Sequence, residues 1–426
     1  MLGLSNPPIG WRMAKLGDVS EIAFSGVDKK KIDGEIPIQL CNYTDVFYNR
    51  LIRPEIDFMK ATATPRECKR WGLRRGDVLF TKDSETPDEI GIAAYVTENM
   101  PNVLCGYHLG MARPRTGVLD GKFLTEALGS QASRREFARI ANGITRFGLT
   151  LDSTRSLPIL LPPLSEQRAI AAVLDAINET IEHIELVISA TECLGDALLH
   201  ELLTRGIPGW HNEWREVPGL GTLPRGWRIA KLGDLAEVVM GQSPPSRTVS
   251  DWDENERHKD GLPFIQGNAE FASAHPEPKK WCNEPLKVAE FGDTLISVRA
   301  PVGETNRANR RIAIGRGLAA IRFSRIHSGF GWYFVNHAKP EFMRVAQGST
   351  FYAIGRDDLN GLTVALPPLA EQQAIARVLD SNQLASNTAK SACTKVALMK
   401  VAIADALLSG RIRPPPMMTE RSGFSL

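Results

Sequence analysis

Residues 161–205 read LPPLSEQRAIAAVLDAINETIEHIELVISATECLGDALLHELLTR. Pro162 and Pro163 end whatever extended segment precedes them, Ser165 offers an N-cap hydroxyl, and no further proline follows for about forty residues. Apolar residues then recur in steps of four and three: Ile170, Leu174, Ile177, Ile181, Ile184 and Ile188. The register continues through Thr191 and Gly195 to Leu198 and Leu202. A 3.5-residue period sustained over several heptads predicts a coiled-coil seam rather than a globular helix face. At 1.5 Å per residue such a helix spans roughly 60 Å, so it needs a partner of similar length.

The partner lies in the same chain. Residues 366–380, LPPLAEQQAIARVLD, match 161–175 at 12 of 15 positions with an offset of 205. Upstream of each helix a second marker repeats: 10–19 (GWRMAKLGDV) recurs as 226–235 (GWRIAKLGDL), 8 of 10 identical at an offset of 216. The chain is therefore two tandem copies of one unit, each a marker segment, a globular stretch and a long helix. The two offsets differ by 11, so the second globular stretch is 11 residues shorter. The expected segments are two globules, 1–160 and 226–365, two helices, 161–205 and 366–412, a connector, 206–225, and a disordered tail, 413–426.

A chain of 426 residues with 43% hydrophobic content can build two or three cores. It shows no apolar leader and no stretch of 18 apolar residues, which predicts a protein without a membrane span. Six scattered cysteines without a CxxC pair suit free thiols in a reducing cytoplasm better than disulfides or zinc. The net charge of +2 is unevenly spread. Residues 161–205 hold 2 Lys+Arg against 8 Asp+Glu, whereas 366–426 hold 7 against 4. The helices are complementary if they pack together, with a plain solvated acidic face as the alternative. An acidic helix is poorly suited to lie on a phosphate backbone, so any contact with nucleic acid should come from the globules.

Within the first globule, residues 36–40, 78–81, 92–96 and 159–161 read as strands between Gly, Pro, Asp and Asn clusters, and 120–141 reads as one helix. The second repeats that order with strands at 263–266, 294–298, 312–314, 318–323 and 363–366 and a helix near 331–346. Residues 210–226, rich in Gly and Pro, read as a connection. The second long helix has a weaker seam: Ile375, Leu379, Asn382, Ser386, Ala389, Cys393, Val396, Lys400, Ile403 and Leu407. The face could instead drift to Val378, Ala385, Ala392 and Met399. The fold class expected is α+β: two strand-rich mixed globules joined by two long antiparallel helices in an intramolecular coiled coil with pseudo-two-fold symmetry.

Catalytic signatures are missing. Asn6-Pro7-Pro8-Ile9 lacks the stacking aromatic of an amino-methyltransferase loop, and Gly315-Arg316-Gly317 is followed by a strand rather than the helix a dinucleotide site requires. No GxxxxGK(S/T) occurs, and the eight histidines have no HxxxH spacing. The chain reads as a reader of its ligand rather than a catalyst.

Taken in order, both LPPL(S/A)EQ helix starts, both GW…KLGD segments, both Gly-Asp strand starts (Gly76-Asp77, Gly292-Asp293) and both pre-helix turns (Gly143–Arg146, Gly348–Phe351) resemble the specificity subunit of a Type I restriction–modification system. The resemblance covers essentially the whole chain. It implies two target-recognition domains, each reading one half of a bipartite double-stranded DNA site. The helix pair would set the spacer and dock two adenine-N6 methyltransferase subunits. S-adenosylmethionine, ATP and Mg2+ would belong to those methyltransferases and to motor-nuclease subunits, with no cofactor or metal on this non-catalytic, cytoplasmic chain. The base-reading candidates are polar residues where strands give way to loops: Gln39, Asn42, Lys82, Thr145 and Arg146 in the first globule, and Gln266, Asn268, Arg299, Ser349, Thr350 and Tyr352 in the second. Glu166, Gln167, Glu371 and Gln372 at the helix starts are the candidates for partner docking, with helix capping as their alternative role. The rival readings are a specificity subunit of another bipartite-site methyltransferase–nuclease system and a coiled-coil scaffold that binds no DNA.

Overall fold

The computed structural model describes residues 7–251, 261–273, 275–347 and 353–414. The chain divides into two compact units, 1–185 with 391–426 and 186–390, so each long helix contributes one half to each unit.

In the first unit the marker segment forms the strand Arg12–Lys15, which pairs antiparallel with Pro158–Leu161, the strand running into the first long helix. Beyond this clasp stand two larger sheets. One orders Ser20–Phe24, Leu109–Pro114, Val78–Thr81, Ala93–Val96 and Leu51–Ile52; the other orders Met59–Ala63, Ile36–Cys41, Met100–Cys105 and Gly72–Leu73. The single helix expected over 120–141 is two, Gly121–Gly129 and Gln131–Ile140. Ser130 breaks it: at φ −62°, ψ 150° it leaves the helical region, and its hydroxyl caps the next helix by accepting from Ser133 N. Phe80, Phe123, Phe137, Ile170 and Leu174 share one buried core with Leu407, so the start of the first long helix packs with the end of the second.

The second unit repeats the clasp, Arg228–Lys231 against Thr363–Leu366. Its sheets order Ala236–Met240, Leu318–Phe323, Thr294–Ser297, Thr305–Arg307, and Val249–Asp251, Lys280–Cys282, Leu262–Ile265, Ile312–Ile314, Val288–Ala289. The expected helix near 331–346 is again two, Ser328–His337 and Lys339–Gln347. The supposed connector holds a hairpin, Trp214–Val217 with Gly221–Pro224, and Leu223 is buried beside Trp227. Four-residue strands punctuated by Gly and Pro carry too little periodicity to be seen in sequence. Leu202 and Leu203 from the end of the first helix join Ile375 and Leu379 from the start of the second in this core.

The long helices span Leu164–Thr204 and Leu369–Leu408. They run antiparallel, and the fold is the α+β arrangement expected from the repeat. The first helix begins before Ser165: Glu166 and Gln167 donate their amides to Pro163 O at 2.9 and 3.0 Å, and Ser165 is an exposed residue inside the first turn rather than the cap. Ile170, Leu174 and Leu202 of the seam are buried, and the isoleucines between are half-buried. On the second helix the strict heptad register holds. Ser386 is buried, whereas Val378 and Met399 of the alternative face are 39% and 60% exposed. The polar middle meets small residues: Asn382 Nδ2 donates to Thr191 O at 3.3 Å, and a Cβ added at Gly195 would lie 2.6 Å from that nitrogen. Lys390 pairs with Glu192 at 2.7 Å. No helix among the described residues is long and apolar enough to cross a membrane.

Candidate nucleic-acid interface

The repeated motifs are fasteners. Glu166 accepts from Trp11 Nε1 at 3.0 Å, and Glu371 accepts from Trp227 Nε1 at the same distance, so each helix start grips the tryptophan of its own GW segment. Gln167 Oε1 accepts from Asp120 N and Gln372 Oε1 from His327 N, both at 2.8 Å; the amide ends donate to Pro162 O and Pro367 O. Gln167, Glu371 and Gln372 are 0–3% exposed. The four side chains expected to dock partners are thus inward anchors. Gln167, Gln372 and Glu371 satisfy backbone groups that burial would otherwise leave unpaired, Glu371 accepting from Ile207 N at 3.1 Å. Arg413, placed by sequence in a disordered tail, is held as well: it donates to both Glu166 oxygens at 2.6 and 2.7 Å and to Ile9 O at 2.7 Å, with its guanidinium 5.1 Å above the Trp11 ring. Residues 415–426 of that segment lie outside the described residues. The Gly-Asp turns work alike. Buried Asp77 accepts from Arg74 N and holds Arg113 in a two-point ion pair at 2.7 and 2.8 Å; Asp293 does the same with Glu290 N and Arg322. These hydrogen bonds raise the pKa of both arginines above its ordinary value.

What differs between the units is the far end of those strands. In the first, a cleft of about 660 Å3 opens there, lined by Tyr43, Ser84, Glu89, Tyr107, Asn142 and Arg146 among others. Asn42 caps the helix Tyr43–Tyr48 beside the Gly106 turn, where an added Cβ would sit 2.6 Å from Cys41 O and 3.4 Å from Asn42 Oδ1. Thr145 and Arg146 ride a tight loop closed by reciprocal 2.9 Å bonds between Asn142 and Gly148. Gly143 makes that loop possible, since at φ +142° a Cβ would lie 1.8 Å from Arg146 O. The loop is exposed, and Phe147–Gly148 anchors it to Asp83–Ser84. Gln39 is exposed on its strand opposite Lys60, away from the cleft lining.

Lys82 is not presented to a ligand. It is 8% exposed, ion-paired with Asp83, and capped by the Tyr107 ring at 4.7 Å. Lys82 N bonds His108 O just as Val298 N bonds Gly317 O, so the counterpart of Lys82 is buried Val298 and the counterpart of Asp83 is Arg299. Adjacent strand residues point to opposite faces, which is why Arg299 is exposed and Lys82 is not. The second unit gathers other groups about its equivalent turn, 315–317. Gln266 Nε2 donates to Ser243 Oγ at 2.9 Å over Gly315, where a Cβ would strike Gln266 Oε1 at 2.6 Å. Arg316 stands exposed on the turn, and Asn268 is half-buried in the short turn after Gln266. Ser349, Thr350 and Tyr352 lie outside the described residues. Sequence reasoning passed over Tyr107, Glu89 and Arg316; their signal was a place in a loop between paired strands, visible only once the pairing was known.

The family model for the Type I restriction modification DNA specificity domain matches this chain twice, over residues 8–190 and 224–391. The chain belongs to that family. As a specificity subunit it carries two DNA-recognition domains and is not itself an enzyme. A putative type I restriction enzyme MjaX specificity subunit of Methanocaldococcus jannaschii is 28% identical over 411 residues, covering 95% of this chain and 94% of the relative. A chain from a structural study of complex assembly and conformational transition in the type I R-M system superposes with a TM-score of 0.61 at 27% identity, over 96% of this chain and all of that one. The Type-I restriction-modification S subunit from M. genitalium shares the fold, with a TM-score of 0.60 at 14% identity over 95% and 97% of the two chains. The paired fasteners are therefore what the two recognition units of this chain share, and the strand-end loops are where they differ.

Proposed function

We propose that each recognition domain of this specificity subunit reads one half of a bipartite double-stranded DNA site, and that the helix pair sets the spacer and docks two methyltransferase subunits. The observation that carries this is the contrast between identical fasteners and different strand ends: Tyr107, Glu89 and Arg146 in one unit, Gln266, Arg299 and Arg316 in the other. Equal frames give two identical partners equivalent seats, and unequal edges give an asymmetric site. Docking falls to the outward helix faces rather than to the buried Glu-Gln pairs. Leu186, Val187, Leu194 and Leu384 are 53–68% exposed in one unit, and Leu398, Met399 and Val401 are 60–67% exposed in the other. Several such side chains left to solvent along one pair of helices make these faces the candidate docking surface. S-adenosylmethionine belongs to the methyltransferases, and ATP and Mg2+ to motor-nuclease subunits that complete a cytoplasmic complex.

Native mass spectrometry of the chain expressed with its methyltransferase tests the assembly, with one specificity subunit to two methyltransferases expected. Replacing Leu398 and Val401 with Asp should remove one methyltransferase and leave the other. A complex of unchanged stoichiometry would move docking away from these faces.

A further inference from the structure

We propose that the first recognition domain reads a cytosine, within a C·G pair, through the carboxylate of Glu89; this rests on the half-site reading above. Glu89 is held like a reading group. Its Oε2 accepts from Ser84 Oγ at 2.7 Å and faces Tyr43 Oη at 3.5 Å, and its backbone carbonyl accepts from Thr81 Oγ1 at 2.6 Å. Among the described residues its Oε1 has no bond and its carboxylate no cation. Neighbouring Asp83, by contrast, is paired with the Lys82 ammonium and lies 3.1 Å from His108 Nδ1.

An uncompensated carboxylate in a DNA-binding cleft repels phosphate and weakens binding to every sequence. It helps only where a base edge donates to it. In the major groove guanine O6 and N7 and thymine O4 are acceptors and clash with it. Adenine N6 donates but brings the acceptor N7 beside it; cytosine N4 donates without that neighbour. The carboxylate therefore selects cytosine partly by rejecting the other three bases. Arg146 lines the same cleft with no ion pair to its carboxylates, and a guanidinium binds guanine O6 and N7, the partner of that cytosine.

Among the described residues the corresponding loop of the second domain holds no such group. The loop after its equivalent strand, 298–304, is shorter than 82–92, and its one carboxylate, Glu304, is held by Lys339 Nζ at 2.7 Å. The requirement for cytosine is confined to the first half-site.

The test uses the chain assembled with its methyltransferase and a duplex library randomised in both half-sites. Wild type should select C at one position of one half-site. Glu89→Gln keeps shape and the bond from Ser84 while adding a donor. It should lower that selection about tenfold to a hundredfold and admit A, leaving the other half-site as an internal control of folding. Arg146→Ala should relax selection at the same base pair. A bipartite selection that Glu89→Gln leaves unchanged overturns the cytosine reading alone. A wild-type complex that selects no bipartite site overturns the half-site reading beneath it.

Discussion

Gln372 shows what a residue repeated in both halves of the chain does when its atoms are followed. It is 3% exposed and bonds His327 N and Pro367 O, so Gln372→Ala leaves two buried polar groups unpaired. A loss of about 1–3 kcal/mol is expected, read as a lower unfolding midpoint. An unchanged midpoint would free the side chain for docking after all. Asp175 gives a pH dependence. Burial alone would raise its pKa, but hydrogen bonds from Lys122 and Arg50, each at 2.7 Å, outweigh burial and hold the carboxyl below its usual range. A group depressed in the folded state contributes stability above its unfolded pKa and loses it as pH falls through the folded one. Asp175→Asn should therefore lower stability at neutral pH and flatten its acid dependence, measured by chemical unfolding across pH 3 to 7. At this scale the sequence was half legible. Repetition marked Glu166, Gln167 and Asp77 as important, but whether each faced inward or outward depended on partners more than forty residues away or in another strand.

The helices were the most legible elements, because a heptad records its own partner. Ile170, Leu174 and Leu202 sit where the period puts them, and even the polar register Asn382–Ser386 holds. Replacing Leu174, Ile181 and Ile188 together with Asp should abolish folding and methyltransferase assembly; an intact complex would sink the seam. Ser386 carries a finer expectation. Among the described residues its buried hydroxyl has no hydrogen-bond partner, so Ser386→Ala should leave the unfolding midpoint unchanged or raise it. The short helices were misread as single long ones, because their apolar spacing continues across Ser130 and Ala338 although the backbone does not. The hairpin Trp214–Val217 with Gly221–Pro224 was missed because its stability comes from tertiary burial of Leu223 rather than from its own pattern.

For the whole molecule, the account is a constant frame carrying two different readers. The frame was legible through its repeat, since the same clasp recurs at both ends of the chain. The strand-end loops were not, because the repeat does not preserve them. If the helices set the half-site separation, lengthening both by one in-register heptad, about 10 Å of rise, should change the spacer and keep both half-sites. The most direct measurement is methylome sequencing of a host lacking adenine methylation that expresses this chain with its methyltransferase. The account predicts a split motif with methyladenine on both strands, lost when the chain is omitted. Methylation without a split motif, or none at all despite a stable complex, would contradict it.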